Sequence, residues 1–293
     1  MRFASRNLSV VTCSRSLSFV LSMDTGMSSV ALGLALLAIL SFGLLGWLAL
    51  ERRGAWGQRL HGLEDTLEAR YPRAWQKLAA RASWARPTGA ALTLVAVVGL
   101  VGVWTFAEVA ENWQRTSELL TLDRQVNAAV QRLPAPAVAF LRLVTHLGDP
   151  AVLAVLTLAL AAVLAWRRKG PDVAALALAM GGGAFWLLAL KTSFARPRPV
   201  NPYDAPGYSF PSGHATGSML LYGFAAWLVL TRLPERWRAL GVLLALVPLV
   251  VGISRIGLSV HWVSDVLGGW VLGLSWLTVS LVVGRALRER RSS

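Results

Sequence analysis

Seven runs of the chain carry no charged residue and are apolar almost throughout: 28–50, 89–107, 151–166, 173–190, 215–231, 239–254 and 266–284. Each approaches or reaches the roughly 20 residues that a helix needs to cross a hydrocarbon core. Backbone polar groups in lipid must be satisfied within the segment, so such runs are constrained to be helices. The shorter runs gain length by extending a turn into their polar flanks. Composition agrees, because 15% charged residues against 55% hydrophobic ones in 293 is too little charge for a soluble domain. The expected fold class is all-α: a polytopic membrane helix bundle with a six-helix core.

A formal charge of +14 would suit a nucleic-acid ligand, but the charges lie between the apolar runs. Residues 51–87 hold Arg52, Arg53, Arg59, Arg70, Arg73, Lys77, Arg81 and Arg86, and 167–169 read Arg-Arg-Lys. Arg232, Arg236 and Arg238 follow, and then Arg285, Arg288, Arg290 and Arg291 in the tail. Basic loops of this kind stay on the cytoplasmic side. Segments 108–149, 191–213 and 255–265 then face the opposite side, and the first of these carries Glu108, Glu111, Glu118 and Asp123. The bilayer is therefore the expected partner, and nucleic acid is not. The pattern leaves oligomeric state open.

The domain order follows. Residues 1–27 form an N-terminal segment in which Arg15 interrupts a signal-like stretch, and Met23 or Met27 is a candidate start. An extra transmembrane helix occupies 28–50. Residues 51–87 follow as a basic cytoplasmic linker, where Leu60, Leu63, Leu67, Tyr71, Trp75 and Leu78 recur every three or four residues as on an amphipathic surface helix. The membrane domain covers 88–288, and 289–293 is a tail. Segment 125–147, interrupted by Pro134 and Pro136, is expected to lie along the opposite face. The single cysteine, Cys13, excludes an intrachain disulfide and a cysteine metal site.

Three outward segments carry unusual polar groups: KTSFARPRP from Lys191 to Pro199, Pro211-Ser212-Gly213-His214 at a helix start, and SRIGLSVHWVSD from Ser254 to Asp265. Lys191, Arg198 and Arg255 are three cations at membrane helix ends, where an unpartnered charge costs several kcal/mol. A phosphate is a fitting partner, since arginine forks onto two of its oxygens and lysine supplies a point charge. The N–H groups of Ser212, Gly213 and His214 would complete an oxyanion cradle. His261 and Asp265 stand one helical turn apart, so the carboxylate can hold one ring nitrogen and leave the other free to attack. His261 reads as a nucleophile and His214, beside the cradle, as a general acid.

The blander readings are that His146 and His61 are solvated side chains, that Arg196 snorkels to the interface, and that Arg255 and Asp265 pair structurally. Gly181, Gly182 and Gly183, with Gly268 and Gly269, are expected to permit close helix packing. Trp166, Trp186, Trp227, Trp237, Trp262 and Trp270 are expected to anchor span ends at the interface.

Lys-x6-Arg-Pro, Pro-Ser-Gly-His and Ser-Arg-x5-His-x3-Asp, in that order, resemble the three-part signature of the type 2 phosphatidic acid phosphatase superfamily. The resemblance covers about residues 88–288. It implies dephosphorylation of lipid phosphates or diphosphates, such as undecaprenyl diphosphate, phosphatidylglycerol phosphate or phosphatidic acid, with no metal and no cofactor. It also implies His261 as nucleophile through a phosphohistidine, Asp265 as its orienter and His214 as acid. Lys191, Arg198, Ser212, Gly213 and Arg255 are the implied phosphate ligands, with Ser254 in support. Two other classes share the cations: a vanadate-dependent haloperoxidase, whose relatives resemble soluble proteins, and a carrier that binds lipid phosphate without cleaving it. A carrier has no need of the His261–Asp265 pair.

Overall fold

The computed structural model describes residues 87–112, 118–200 and 206–292. The expected span at 28–50 and the surface helix and linker up to residue 86 lie outside the described residues. Within them the chain is helical and contains no strand. Helix α1 runs Pro87–Asn112, α2 Glu118–Val130 and α3 Ala135–Thr145, the last continuing as a 3₁₀ turn over His146–Gly148. Helix α4 (Pro150–Trp166) begins with proline in its first turn, where the missing N–H costs nothing. Helix α5 spans Gly170–Phe194 with a π turn at Leu178–Gly182. Helices α6 (Gly213–Arg232), α7 (Arg238–Gly257) and α8 (Val263–Ser292) complete the set.

Every apolar run from 89 onward therefore lies within a helix. Among the described residues, three helices are long and apolar enough to cross a membrane by themselves: Gly170–Phe194, Glu235–Gly257 and Val263–Arg291. A fourth crossing is available to Ala135–Gly148 taken with Pro150–Trp166, a pair bent by 43° at Asp149. Segment 125–147 is thus less uniform than expected: α3 meets α4 at a corner.

Helix α6 is the centre of the bundle, and its composition explains why. His214, Thr216 and Ser218 dilute its hydropathy, and the helix buries Leu220, Leu221, Phe224 and Trp227 against Leu176 of α5 and Leu277 and Leu281 of α8. Val155 and Leu158 on α4, Phe185 and Leu188 on α5, and Leu243 and Ile253 on α7 are exposed instead, as lipid-facing positions require. Helices in lipid gain little from the hydrophobic effect and associate through close packing. On α8, a Cβ at Gly269 would stand 2.7 Å from the Ser212 carbonyl, and one at Gly273 would stand 3.0 Å from the Thr216 carbonyl. These two glycines let α8 approach the first turn of α6.

Of the tryptophans, Trp166, Trp186 and Trp237 are exposed near helix ends, as interface anchors should be. Trp227 departs from that expectation. It is 3% exposed, with the guanidinium groups of Arg232 and Arg288 each 5.3 Å from its ring centroid. Trp270 donates to the Pro248 carbonyl of α7 at 3.0 Å. Of the glycine triplet, Gly182 and Gly183 pack against Trp276 and Leu220, whereas Gly181 faces open space.

Chain direction sets up the two ends. Helix α5 ends, α6 begins, α7 ends and α8 begins at one end of the bundle, where Lys191, Gly213, Arg255 and Asp265 sit. The other end gathers basic residues, with Arg288 donating to Asp172 at 2.5 Å and Arg232 lying 3.8 Å from the same carboxylate.

Candidate active site

Helix α5 stops at Ala195, which takes a left-handed conformation at φ 45° and turns the chain across the end of the bundle. A non-glycine residue there costs roughly 1–2 kcal/mol, and the turn is what carries Arg196 inward and Arg198 toward α8. Lys191, in the last turn of α5, donates to the Tyr208 carbonyl at 2.5 Å. Arg198 spreads its fork over several acceptors: Nε to the Gly207 carbonyl at 3.1 Å, and Nη1 to the Val260 carbonyl at 2.8 Å and to His261 Nε2 at 3.0 Å. Burial lowers its pKa from the ordinary guanidinium value, against the opposing pull of Asp265, and the group remains a cation.

His261 lies in the turn between α7 and α8 and is 2% exposed. Its Nδ1 faces Asp265 Oδ2 at 3.2 Å while Nε2 accepts from Arg198, so the partners assign a neutral ring protonated on Nδ1. Burial first of all, with Arg198 and Arg255 in the same direction and Asp265 opposing, holds its pKa down at about 3. The outcome is a bare Nε2.

Asp265 is fully buried, and every lone-pair direction is used. Oδ2 also accepts from the Trp262 N–H at 2.9 Å, and Oδ1 accepts from Arg196 at 2.7 Å and Ser209 Oγ at 3.4 Å. Arg196 therefore corrects its expected role. It does not snorkel but is 2% exposed, bridging Asp265 to Asp123 of α2 at 2.8 Å. Asp123 in turn accepts from the Ser264 N–H at 2.9 Å and from Ser264 Oγ at 2.5 Å, fixing the first turn of α8. Arg255 and Asp265 are not a pair either: Arg255 donates to Thr145 Oγ1 at 3.0 Å, and its buried Nε has no hydrogen-bond partner among the described residues.

His214, in the first turn of α6, has a partner that no local pattern announced. Its Nε2 stands 2.9 Å from Asp149 Oδ1, and the other Asp149 oxygen stands 2.6 Å from His146 Nδ1. Gly148 makes room, since a Cβ there would come within 3.0 Å of the His214 ring. The corner Thr145–Asp149 is thus a fourth segment at the site. Its signal in the sequence was THLGDP, a histidine and a carboxylate three apart just ahead of a proline-led helix.

These groups share one cavity of about 710 Å³, lined at its polar end by Lys191, Arg198, Gly213, His214, Arg255 and His261. Its other walls are apolar, with Leu153 and Leu158 of α4, Met180 and Leu187 of α5 and Leu220 of α6. Ser212 stands apart from this set. Its Oγ caps α6 by accepting from the Ala215 N–H, and its own N–H donates to the Asp265 carbonyl at 2.9 Å. Its N–H is therefore not available to an anion, and the cradle rests on the Gly213 and His214 N–H groups, which have no intrahelical acceptor at a helix start. Ser254 is buried and donates to the Val251 carbonyl at 2.6 Å, away from any ligand role. A cavity with three cations at one end and aliphatic walls at the other is shaped for an anionic headgroup on an apolar chain.

Comparison with known proteins finds relatives of one family. A family model described as the PAP2 superfamily matches residues 172–289, a stretch that holds all three sequence motifs. Phosphatidylglycerophosphatase B of Bacillus subtilis is 33% identical over 139 residues, which cover 45% of this chain and 67% of that protein. Undecaprenyl-diphosphatase of Sulfolobus acidocaldarius is 37% identical over 87 residues, 30% of this chain and 35% of that protein. Among solved structures, a transmembrane PAP2-type phosphatidylglycerolphosphate phosphatase from Bacillus subtilis is similar with a TM-score of 0.58 at 26% identity, over 66% of this chain and 96% of that one.

Proposed function

The chain belongs to the PAP2 superfamily, and from that premise we propose that it is a metal-independent membrane lipid phosphatase working through a phosphohistidine on His261. The substrate is a lipid phosphomonoester or diphosphate of the kind named for its relatives, phosphatidylglycerol phosphate or undecaprenyl diphosphate, with phosphatidic acid as a third candidate. Lys191, Arg198 and Arg255 would neutralise the phosphoryl oxygens, and the Gly213 and His214 N–H groups would face the charge that builds up in the transition state. His261 Nε2 attacks phosphorus as the bond to the leaving oxygen breaks, and His214 gives that oxygen its proton. Water then attacks the phosphohistidine. His214 takes the water's proton, phosphorus leaves Nε2 as inorganic phosphate, and both imidazoles return to their starting states.

One observation carries this reading. His261 Nε2 is bare of protons and sits in the cavity 3.0 Å from Arg198, while Asp265 holds the opposite nitrogen. The basic loops at the far ends of the helices support an active site on the outer face of a cytoplasmic membrane.

The test is phosphate release by purified protein across phosphatidylglycerol phosphate, undecaprenyl diphosphate, phosphatidic acid and lipid A phosphate. The native chain should hydrolyse at least one, and His261→Ala should lose on the order of 10⁴-fold or more, as nucleophile removal does elsewhere. Full activity in that variant, or none in the native chain, would overturn the proposal.

A further inference from the structure

The acid imidazole, unlike the nucleophile, has an electrostatic difficulty. To work as an acid His214 must carry a proton, yet the charged groups that face it are Arg255 from α7 and Arg198 from the loop after α5, and Lys191 lines the same cavity. All three repel an imidazolium. Asp265 cannot compensate, because its charge is already committed to Arg196 and the His261 Nδ1–H. Among the described residues, the carboxylate left to face His214 is Asp149, at 2.9 Å.

Asp149 occupies the N-cap position of α4, where an aspartate ordinarily turns its oxygens back to the N–H groups of its own helix. Here the side chain makes no cap hydrogen bond. Both oxygens point to imidazoles instead, Oδ1 to His214 and Oδ2 to His146. The backbone holds that posture: the Asp149 N–H donates to the His146 carbonyl at 3.1 Å, and its carbonyl accepts from Leu153 at 2.9 Å. This corner lies outside residues 172–289, the stretch that the family model matches.

We propose that Asp149 is the positioning residue of the acid, orienting His214 and stabilising its protonated form, with His146 clamping the second carboxylate oxygen. The inference rests on the phosphatase reading above and adds a fourth segment to its machinery. The division of labour is chemical. Departure of an alkoxide needs the proton from His214, whereas an aryl phosphate such as p-nitrophenyl phosphate releases a phenolate that leaves without one.

The experiment compares kcat/KM of the native chain and Asp149→Asn on a lipid phosphomonoester and on p-nitrophenyl phosphate, each across pH. On the lipid the loss should be about 10- to 100-fold, part of the roughly 10²–10⁴ that a positioned acid contributes. On the aryl phosphate it should be at least fivefold smaller. The pH above which lipid hydrolysis declines should also move down, because losing the carboxylate makes the imidazolium easier to deprotonate. Asp149→Glu should restore part of the lipid activity, and it gives the same two-substrate comparison if the asparagine variant does not fold. Equal losses on both substrates with the alkaline limb unmoved, or no loss at all, would overturn the proposal. Failure of the underlying reading is recognised separately, by a His261→Ala variant that keeps its activity.

Discussion

The site holds two imidazole–carboxylate pairs, and they differ in almost every respect except composition. His261 and Asp265 are four residues apart, 2% and 0% exposed at their side chains, and the carboxylate is tied down by a buried arginine. His214 and Asp149 are 65 residues apart, 15% and 33% exposed, and the carboxylate is steadied by an imidazole that is itself 66% exposed. The first environment favours a neutral ring with one bare nitrogen, the condition of a nucleophile. The second lies closer to water and offers an imidazolium a carboxylate of its own, the condition of an acid. On the proposed mechanism the two like pairs would take opposite roles, and what separates them is the dryness of the first and the carboxylate that the second offers an imidazolium.

The largest effect should come from breaking the dry pair. Asp265→Asn leaves the shape of the carboxylate but frees the ring to protonate on the wrong nitrogen, and an analogous change in a serine protease triad costs roughly 10⁴ in kcat. Here lipid hydrolysis should fall on the order of 10³- to 10⁴-fold, well beyond the effect at Asp149. Equal losses at the two carboxylates would erase the asymmetry.

Removing the support of the dry pair should show first in stability. Arg196→Gln leaves Asp123 and Asp265 both fully buried with no cation between them. Breaking a buried pair from one side costs about 3–5 kcal/mol. A drop in melting temperature in detergent checks this, and a variant as stable as the native chain would show that Arg196 is not needed to hold the two carboxylates.

Arg196 also marks where the sequence stopped being readable. The helices were legible because lipid forces a period and a length on every span, and the three motif segments were legible because histidine, arginine and aspartate are conspicuous at the ends of apolar runs. Arg196 and Asp123 were not. They are 73 residues apart, and the helical turn from Lys191 that suggested a snorkelling side chain says nothing about a left-handed Ala195 that redirects the chain. Asp149 was hidden in the same way, with a role in the site set by the bend between α3 and α4. Ser212 shows the opposite error. Its position in the motif suggested a ligand, but the N-cap geometry and the close approach of α8 at Gly269 employ its polar groups within the scaffold.

A smaller effect follows from pH. The folded pKa of His261 is about 3, against about 6.5 for an unfolded histidine. Between those values the unfolded chain binds the extra proton, so this contribution to stability is present above pH ~6.5 and is lost as pH falls toward 3. The loss is at most about 1.4 kcal/mol per pH unit, or roughly 2 kcal/mol between pH 6.5 and 5. His261→Gln should therefore narrow the gap between melting temperatures at pH 7 and pH 5, and an unchanged gap would mean that the ring is not held neutral.

The smallest effect tests the wet pair at its outermost member. His146 does not line the cavity; it holds Asp149 Oδ2 at 2.6 Å from a largely exposed site. Solvent can replace most of such a contact, so exposed pairs contribute about 0.2–1 kcal/mol. His146→Ala should lower kcat/KM on a lipid phosphate about two- to fivefold and leave the melting temperature nearly unchanged. A loss as large as that of Asp149→Asn would make the outer imidazole as necessary as the carboxylate, and no loss at all would mean that solvent alone steadies the second oxygen.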